Sequence, residues 1–284
     1  MKVKVSSVMP RSFRGKNEIK NLDKSLHYID EAVETGSKLI LLPEGYPGPY
    51  NGEYNWNPEA EICKKAEEHQ VYIIYGTLDQ ASNSDKYYLS TKVASPAGRI
   101  IANYYRMQPN QPEVDNVLMN NKKIIPGEDF CIVETPYGKI GLLICSEIWC
   151  AELPKILALF NVDILFAPIG GMVYELKEAW ECLLWSRAIE NHMYVVTCQH
   201  LYGMESGIGM IAGPEEILAK SDKEGIITAE LDMNRLNWLR THDQTLELPK
   251  QYKSIPGLLK YRRPEKYSKL TEQDKRAYNF NFYE

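Results

Sequence analysis

The sequence lacks the features that would place the protein in a membrane or on a nucleic acid. Its 284 residues contain no apolar run near the ~18 residues that a membrane-spanning helix needs, and its first residues lack the apolar stretch of a signal peptide. Basic side chains are outnumbered, since 33 lysines and arginines face 38 aspartates and glutamates and leave a net charge of −5. Phosphate-binding surfaces usually carry a basic excess. We therefore expect a cytoplasmic protein that binds neither membranes nor nucleic acids.

Cysteine is too sparse for a disulfide-stabilised scaffold, with six residues in the whole chain. No Cys-x-x-Cys pair occurs, and the five histidines show no His-x-x-x-His spacing. These absences argue against structural zinc, and we expect no bound metal. A free cysteine usually serves as a small buried apolar residue, so any cysteine assigned as a nucleophile needs independent support.

The composition is that of a globular protein, with 44% hydrophobic and 25% charged residues. Short β-rich runs alternate with segments whose apolar residues recur every three or four positions, which favours an α/β layered fold. The predicted strands include Lys2–Val8, Lys38–Leu42, Val71–Leu78, Tyr87–Ala94, Ile100–Tyr105, Lys139–Cys145, Asp163–Ile169, Tyr194–Gln199 and Ile226–Asp232. Predicted helices cover 19–33, Asn57–Gln70, Leu153–Phe160 and Leu176–Asn191. No linker or repeat divides the chain, so we expect one domain over 1–240 and a C-terminal extension over 241–284.

Three chemically distinct polar residues stand at the ends of three predicted strands. Glu44, Arg106 and Cys145 each close or directly follow an apolar run. In open α/β sheets the loops at the carboxyl ends of strands converge, and ligands gather there. A thiol can act as nucleophile, a carboxylate can move protons, and a cation can neutralise an oxyanion. The set indicates a site for nucleophilic catalysis through a tetrahedral intermediate.

Five motifs in order resemble the nitrilase superfamily of carbon–nitrogen hydrolases over roughly residues 1–240. They are Leu41–Glu44 (LLPE), Tyr104–Arg106 (YYR), Gly141–Glu147 (GLLICSE), Arg187–Asn191 (RAIEN) and Gly207–Glu215 (GIGMIAGPE). The resemblance implies a four-layer α-β-β-α sandwich that pairs into a larger sandwich in a dimer. It also implies a Glu-Lys-Cys catalytic triad, often with a second glutamate between the lysine and the cysteine.

Carried onto this chain, the resemblance makes Glu44 the general base and Cys145 the nucleophile. Glu113 falls where nitrilase-type members place their additional glutamate, although a solvated loop carboxylate would explain it equally well. The departure is Arg106, which aligns with the family's lysine. Arginine keeps the positive charge but is larger and planar and does not deprotonate. The exchange leaves open an unusual substrate, a weak activity or a non-catalytic homologue.

The implied reaction is attack of the Cys145 thiolate on an amide or carbamoyl carbon, with no metal and no organic cofactor. Nitrile hydrolysis by the same cysteine is the near alternative. Ser146 stands where nitrilases usually carry a bulky tryptophan, which speaks against a nitrile. We also expect Arg106 to lower the pKa of the Cys145 thiol below the ~8.5 of a free cysteine, with Glu44 acting in the opposite direction.

Substrate-binding residues are expected on both sides of the proposed centre. Tyr50 and Tyr54 belong to an aromatic loop that directly follows Glu44, and such loops often line small-molecule sites. Ser146 and Trp149 follow the proposed nucleophile. Trp149 is expected either to form a wall of the pocket or to be a packing residue.

The resemblance also predicts a homodimer or larger homo-oligomer, formed through the helices beside the nucleophile. The segment from Asn234 onward shows no clear core periodicity and is expected to run over the surface or onto a partner subunit. Its large aromatic residues favour a buried contact. They include Trp238, Tyr252, Tyr261, Tyr267, Tyr278 and Phe282.

Overall fold

Two β-sheets lie face to face between two layers of helices in the computed structural model. The structure describes residues 1–82, 84–171, 176–202, 206–241, 259 and 262–280. The arrangement is the four-layer α-β-β-α sandwich that the family resemblance implied, and this expectation is confirmed. Its dimeric pairing stays a prediction.

The first sheet has seven strands in the order β13-β1-β2-β3-β4-β5, with β6 paired to β4. Its strands are β1 (Lys2–Met9), β2 (Leu39–Leu41), β3 (Tyr72–Gln80), β4 (Lys86–Ser95), β5 (Arg99–Tyr105), β6 (Lys123–Ile124) and β13 (Gly225–Asp232). β1, β2 and β3 run parallel to one another, and β13, β4 and β5 join antiparallel.

The second sheet has six strands in the order β12-β11-β10-β9-β8-β7. They are β7 (Ile132–Thr135), β8 (Gly138–Leu142), β9 (Ile164–Phe166), β10 (Tyr194–Thr197), β11 (Gly209–Ala212) and β12 (Ile217–Ser221). Its centre is again parallel, since β8, β9 and β10 share one direction. Each sheet therefore brings the carboxyl ends of neighbouring parallel strands to one edge.

Alternating side chains explain why the first sheet is covered on both faces. Leu39 and Leu41 of β2 join the core between the two sheets, whereas Ile40 between them joins a separate core under the helices. Successive strand residues point to opposite faces, so a strand that is apolar at every position must be buried on both sides.

Six helices complete the described part of the chain. They are α1 (Lys20–Glu34), α2 (Glu59–His69), α3 (Pro112–Leu118), α4 (Glu152–Leu159), α5 (Lys177–Asn191) and α6 (Met233–Thr241). α1 and α2 cover the outer face of the first sheet, and α5, with α4 beside it, packs on the second. None of the described helices is long and apolar enough to cross a membrane.

The predicted strands and helices named above are present with shifted ends, but α3 and α6 were not predicted. The expectation that no core packing follows Asn234 is wrong for the first turns of that segment. Leu236 and Leu239 of α6 are buried against the domain, and Arg240 donates to Asp163 and to the carbonyl of Val162. Two or three buried positions in a nine-residue helix are too few for a period to stand out.

The aromatic residues expected to form a subunit contact are only partly described. Tyr252, Tyr261 and Phe282 lie outside the described residues. Tyr267 is half-buried and Tyr278 is exposed. Exposed apolar side chains also occur on and beside the helices next to Cys145, namely Leu159, Phe160, Leu176 and Ile189. Pairing through this face stays a prediction.

Truncating Leu236, one of the buried side chains of α6, tests whether this helix contributes to the core. We expect Leu236→Ala to lower the free energy of unfolding by ~2–4 kcal/mol, because the truncation leaves a cavity. Asn237→Ala, at an exposed position of the same helix, should leave it within ~0.5 kcal/mol. Urea denaturation followed by circular dichroism measures both. Equal stabilities for the two variants would show that α6 does not contribute to the core.

Candidate active site

The three strand-end residues meet in one buried cluster between the sheets. Glu44 lies just beyond β2, Arg106 directly follows β5, and Cys145 lies just beyond β8. Their exposed fractions are 2%, 1% and 8%. The Arg106 NH1 atom lies 3.2 Å from Oε1 of Glu44, and the Cys145 thiol donates a hydrogen bond to the Glu44 carboxylate. The carboxylate therefore contacts both the thiol and the cation.

A close approach of backbone holds the second oxygen of Glu44. The Gly170 N–H donates to Oε2 across 2.5 Å. A Cβ atom at position 170 would lie 2.6 Å from that oxygen, which is shorter than a van der Waals contact. Glycine is therefore required at position 170.

Cys145 occupies a sharp turn at the start of a short 3₁₀ helix (Cys145–Trp149). Its φ of +55° is in the left-handed region that non-glycine residues rarely adopt. The Cys145 N–H donates to the carbonyl of Pro168 at 2.8 Å, which holds the turn against the neighbouring strand end. Strained backbone of this kind persists only when its surroundings enforce it, and it is common at functional sites.

The thiol is protonated in this environment. Burial, the charge of Glu44 and the hydrogen bond to it raise the pKa of Cys145 to about 12, although Arg106 acts in the opposite direction. The expected net lowering of this pKa by Arg106 is therefore wrong, because desolvation outweighs the nearby cation. Burial also raises the pKa of Glu44, against the effects of Arg106 and the Gly170 N–H. The carboxylate is thus a stronger proton acceptor than a solvated one.

Arg106 makes four contacts with its guanidinium group. NH1 donates to Glu44, and Nε donates to the carbonyl of Gln108 at 2.9 Å. NH2 donates to Oδ1 of Asn110 at 3.1 Å and to Oγ of Ser146 at 2.5 Å. The negative charges nearby, Glu44 foremost, raise the pKa of Arg106, so the group remains a cation.

Glu147 ties the nucleophile turn to the Arg106 segment. This carboxylate is fully buried. It accepts hydrogen bonds from the backbone N–H groups of Ile144, Met107 and Gln108 and from the hydroxyl of Tyr104. Its oxygens are thus occupied by protein donors, which makes it a residue that orients backbone.

His200 contacts the backbone of Glu44. Its Nε2 contacts the backbone carbonyl of Glu44, and its Nδ1 lies 2.7 Å from Oγ of Ser12. Burial lowers the pKa of His200 to about 3, so the ring is neutral at pH 7. A carbonyl oxygen only accepts, so Nε2 carries the proton and the Ser12 hydroxyl donates to Nδ1.

A cavity of about 600 Å³ opens onto the cluster. Glu44, Cys145 and Ser146 lie at its base, together with Asn110. Most of the remaining wall is apolar or aromatic, formed by Val114, Leu118, Trp149, Leu176, Trp180 and Tyr202. Arg14 completes the lining, and its guanidinium carbon lies 3.6 Å above the centre of the Tyr202 ring. Among the described residues, no group of three or more His, Cys, Asp or Glu side chains could hold a metal ion.

Comparison with known proteins identifies the class to which this site belongs. The carbon-nitrogen hydrolase family matches residues 5–241. The chain belongs to this family. Human omega-amidase NIT2 is 28% identical over 239 residues, which cover 78% of this chain and 86% of the relative. The resemblance to the nitrilase superfamily is thereby confirmed, and the protein is a carbon–nitrogen hydrolase.

Solved structures of the same family share the fold. A carbon-nitrogen hydrolase from Helicobacter pylori superposes with a TM-score of 0.79 at 22% identity, covering 96% of this chain and 99% of that one. A variant of the amidase from Nesterenkonia sp. AN1, with the acetamide moiety of fluoroacetamide bound covalently at its active-site cysteine, has a TM-score of 0.70 at 18% identity. The match covers 81% of this chain and 90% of that one.

Within this carbon–nitrogen hydrolase, five of the eight predicted site residues lie together. Glu44, Cys145, Ser146 and Trp149 line the cavity, and Arg106 lies behind Glu44 and Ser146. Tyr50 is also near, buried beside His200 at 6.1 Å between ring centres, but it is not among the lining residues. It forms part of the support of the site.

Glu113 and Tyr54 are not brought to the cluster. Tyr54 packs on Tyr87 at the surface, and its hydroxyl accepts the N–H of Gln80. Glu113 is exposed on α3, whereas Asp115 on the same helix is 2% exposed and accepts from the Asn110 side chain. Residues two apart on a helix point in nearly opposite directions. The structure thus gives no support to a catalytic role for Glu113.

Sequence reasoning missed Asn110, Asp115, His200 and Arg14. Asn110 is four residues beyond Arg106, within a Gln/Asn/Pro-rich loop that has no periodic signal. His200 directly follows the Cys198-Gln199 pair at the end of β10, so a polar residue at a fourth strand end was the one available signal. Nothing in the local sequence distinguishes Arg14 from the other surface cations.

The titration of Cys145 tests the electrostatics of the cluster. We expect its alkylation by iodoacetamide to keep accelerating beyond the ~8.5 of a free thiol, because the thiol pKa is raised. In Glu44→Gln the inflection should move to lower pH, because a charge that opposes the thiolate is gone while Arg106 remains. Mass spectrometry of the peptide that contains Cys145 gives the rate at each pH. An inflection at or below pH 8.5 in the parent protein would contradict a raised pKa of the Cys145 thiol.

Proposed function

We propose that the protein hydrolyses a non-peptide amide of a small molecule through a thioester on Cys145. The observation that carries this proposal is that the Glu44 carboxylate, in the wall of the cavity, contacts both the Cys145 thiol and the Arg106 guanidinium. Relatives named as amidases and the covalent adduct at the cysteine of the Nesterenkonia amidase support it. Arg106 in the lysine position is compatible with catalysis, since its charge lies in the cluster and not in solvent.

In the first half of the reaction, Glu44 accepts the proton of Cys145 as sulfur bonds to the amide carbon. The negative charge passes to the amide oxygen, where Arg106 stabilises it. Glu44 then donates its proton to the amide nitrogen, the C–N bond breaks, and ammonia or an amine leaves. The raised pKa of Glu44 suits this exchange, because it makes the carboxylate a better acceptor for the thiol proton.

In the second half, water takes the place of the amine. Glu44, again ionised, accepts a proton from the water as its oxygen attacks the thioester carbon. The tetrahedral intermediate collapses, the C–S bond breaks, and the carboxylic acid product leaves. The proton held by Glu44 returns to the sulfur of Cys145, which restores the starting state.

An amide is favoured over a nitrile. Ser146, the residue after the nucleophile, is small and is engaged with Arg106, where nitrilases usually carry a tryptophan. Carbamoyl compounds present the same C(=O)–N unit and share the chemistry. Glu113, whose spacing suggested a nitrilase, lies on the surface.

The acyl part of the substrate is proposed to carry an anionic group. Arg14 lines the same cavity as Cys145 and is stacked on Tyr202, which orients its planar donors. A guanidinium is well matched to a carboxylate. The curated relative is named an omega-amidase. An amide with a carboxylate at its far end would place the two polar ends at Cys145 and Arg14, with the apolar wall along the chain between them.

Removal of the nucleophile tests the reaction. Cys145→Ala should reduce ammonia release from a panel of amides, carbamoyl compounds and nitriles by roughly 10³ or more, because no group remains to form the thioester. Cys182→Ala, at an exposed cysteine on α5, serves as control and should keep full activity. An alanine variant that releases ammonia at the parental rate would refute the proposal.

The anion subsite is tested separately. Arg14→Ala should raise KM for a carboxylate-bearing amide by about tenfold, the value of one charge-assisted hydrogen bond at a partly solvated site, and leave KM for a neutral amide within about twofold. Lys16→Ala removes a nearby exposed cation as control. If Arg14→Ala raises KM equally for both amides, Arg14 does not bind the acyl end of the substrate.

A further inference from the structure

We propose that Ser146 and Asn110 are positioning residues that hold Arg106 so that its free N–H points at the substrate oxygen. The inference rests on the proposed function for its kinetic consequence. Its geometric basis is independent of that function, because all the contacts lie within the protein. Neither residue is assigned a part in proton transfer or in bond formation.

Arg106 uses four of the five N–H groups of its guanidinium in hydrogen bonds within the protein. A guanidinium has five N–H groups in one plane. Nε–H is used by the carbonyl of Gln108, and one NH1 hydrogen is used by Glu44. Both NH2 hydrogens are used, by Asn110 and by Ser146. Within the part of the chain that the structure describes, the second NH1 hydrogen has no acceptor and is available to an oxyanion at Cys145.

The acceptors on NH2 are themselves oriented by a buried carboxylate. Asn110 Nδ2 donates to Oδ1 of Asp115 at 2.9 Å, which turns the amide oxygen of Asn110 toward Arg106. The Ser146 hydroxyl accepts from Arg106 and donates to the same amide oxygen at 3.3 Å. A series of contacts thus runs from Asp115 through Asn110 and Ser146 to the guanidinium.

An arginine needs this support where a lysine would not. The lysine ammonium is compact and rotates freely about its last bond, so its three donors adapt to their partners. The guanidinium is rigid, and a rotation within its plane moves NH1 away from Glu44 and from the substrate. Fixing NH2 on two acceptors prevents that rotation. Ser146 and Asn110 therefore supply the support that an arginine at position 106 needs.

A double-mutant cycle on Ser146 and Arg106 tests the inference with the full-length protein. Ser146→Ala should lower kcat on the best amide of the panel by about 10- to 100-fold, a loss in the range expected when one oxyanion donor is displaced, with KM within about twofold. In the Arg106→Lys background the same substitution should change kcat by less than about threefold. Ser186→Ala on α5, whose half-buried serine donates to the carbonyl of Cys182, controls for loss of a hydroxyl.

A second measurement does not depend on turnover. Arg106 favours the Cys145 thiolate, so its displacement in Ser146→Ala should slow iodoacetamide alkylation of Cys145 at pH 9 several-fold. Ser146→Ala should have little effect when Arg106 is already lysine. This arm remains informative if no amide is hydrolysed or if the lysine variant is inactive, and so it separates failure of the inference from failure of the proposed function.

Asp115→Ala provides a test from outside the cavity lining. It removes the acceptor that orients Asn110 and should lower kcat and the alkylation rate in the same direction as Ser146→Ala. Circular dichroism confirms that each variant is folded. Equal effects of Ser146→Ala in the arginine and lysine backgrounds would overturn the inference. A change confined to KM would also overturn it and would make Ser146 a substrate contact.

Discussion

The ion pair between Glu44 and Arg106 is the contact on which the rest of the site depends. Both groups are almost completely removed from water, and burying two charges costs several kcal/mol per ion before compensation. The compensation comes from their neighbours, which are the Gly170 N–H, the Cys145 thiol, the Gln108 carbonyl and the side chain of Asn110. These neighbours are needed because the buried carboxylate and guanidinium must both form hydrogen bonds.

The same pair affects the protonation state of the Cys145 thiol. Glu44 is held ready to accept a proton, and the thiol beside it is kept neutral by burial and by the carboxylate charge. A neutral thiol in contact with its base is less exposed to side reactions than a free thiolate. Arg106 stabilises negative charge in the cluster in either state, on Glu44 before transfer and on the substrate oxygen afterwards.

The family's usual lysine could meet that need with one adaptable ammonium, and this chain meets it with a rigid guanidinium. The rigid group demands acceptors at fixed positions, and the chain supplies them from three separate segments. Glu44 follows β2, Gln108 and Asn110 belong to the loop before α3, and Ser146 belongs to the nucleophile turn. Arg106 therefore links segments that are distant in sequence.

The sequence by itself determined most of the strands and helices, because their apolar periodicity is local and survives without tertiary context. It also determined Glu44, Arg106 and Cys145 as a set, since strand ends that carry polar residues can be read from the order of residues. Only the tertiary structure decided that Asp115 and not Glu113 is buried, because helix phase depends on which face meets the core. It also decided the protonated state of Cys145 and the place of Arg14 in the cavity. Desolvation and contacts between distant segments are properties of the packed chain, and no local pattern encodes them.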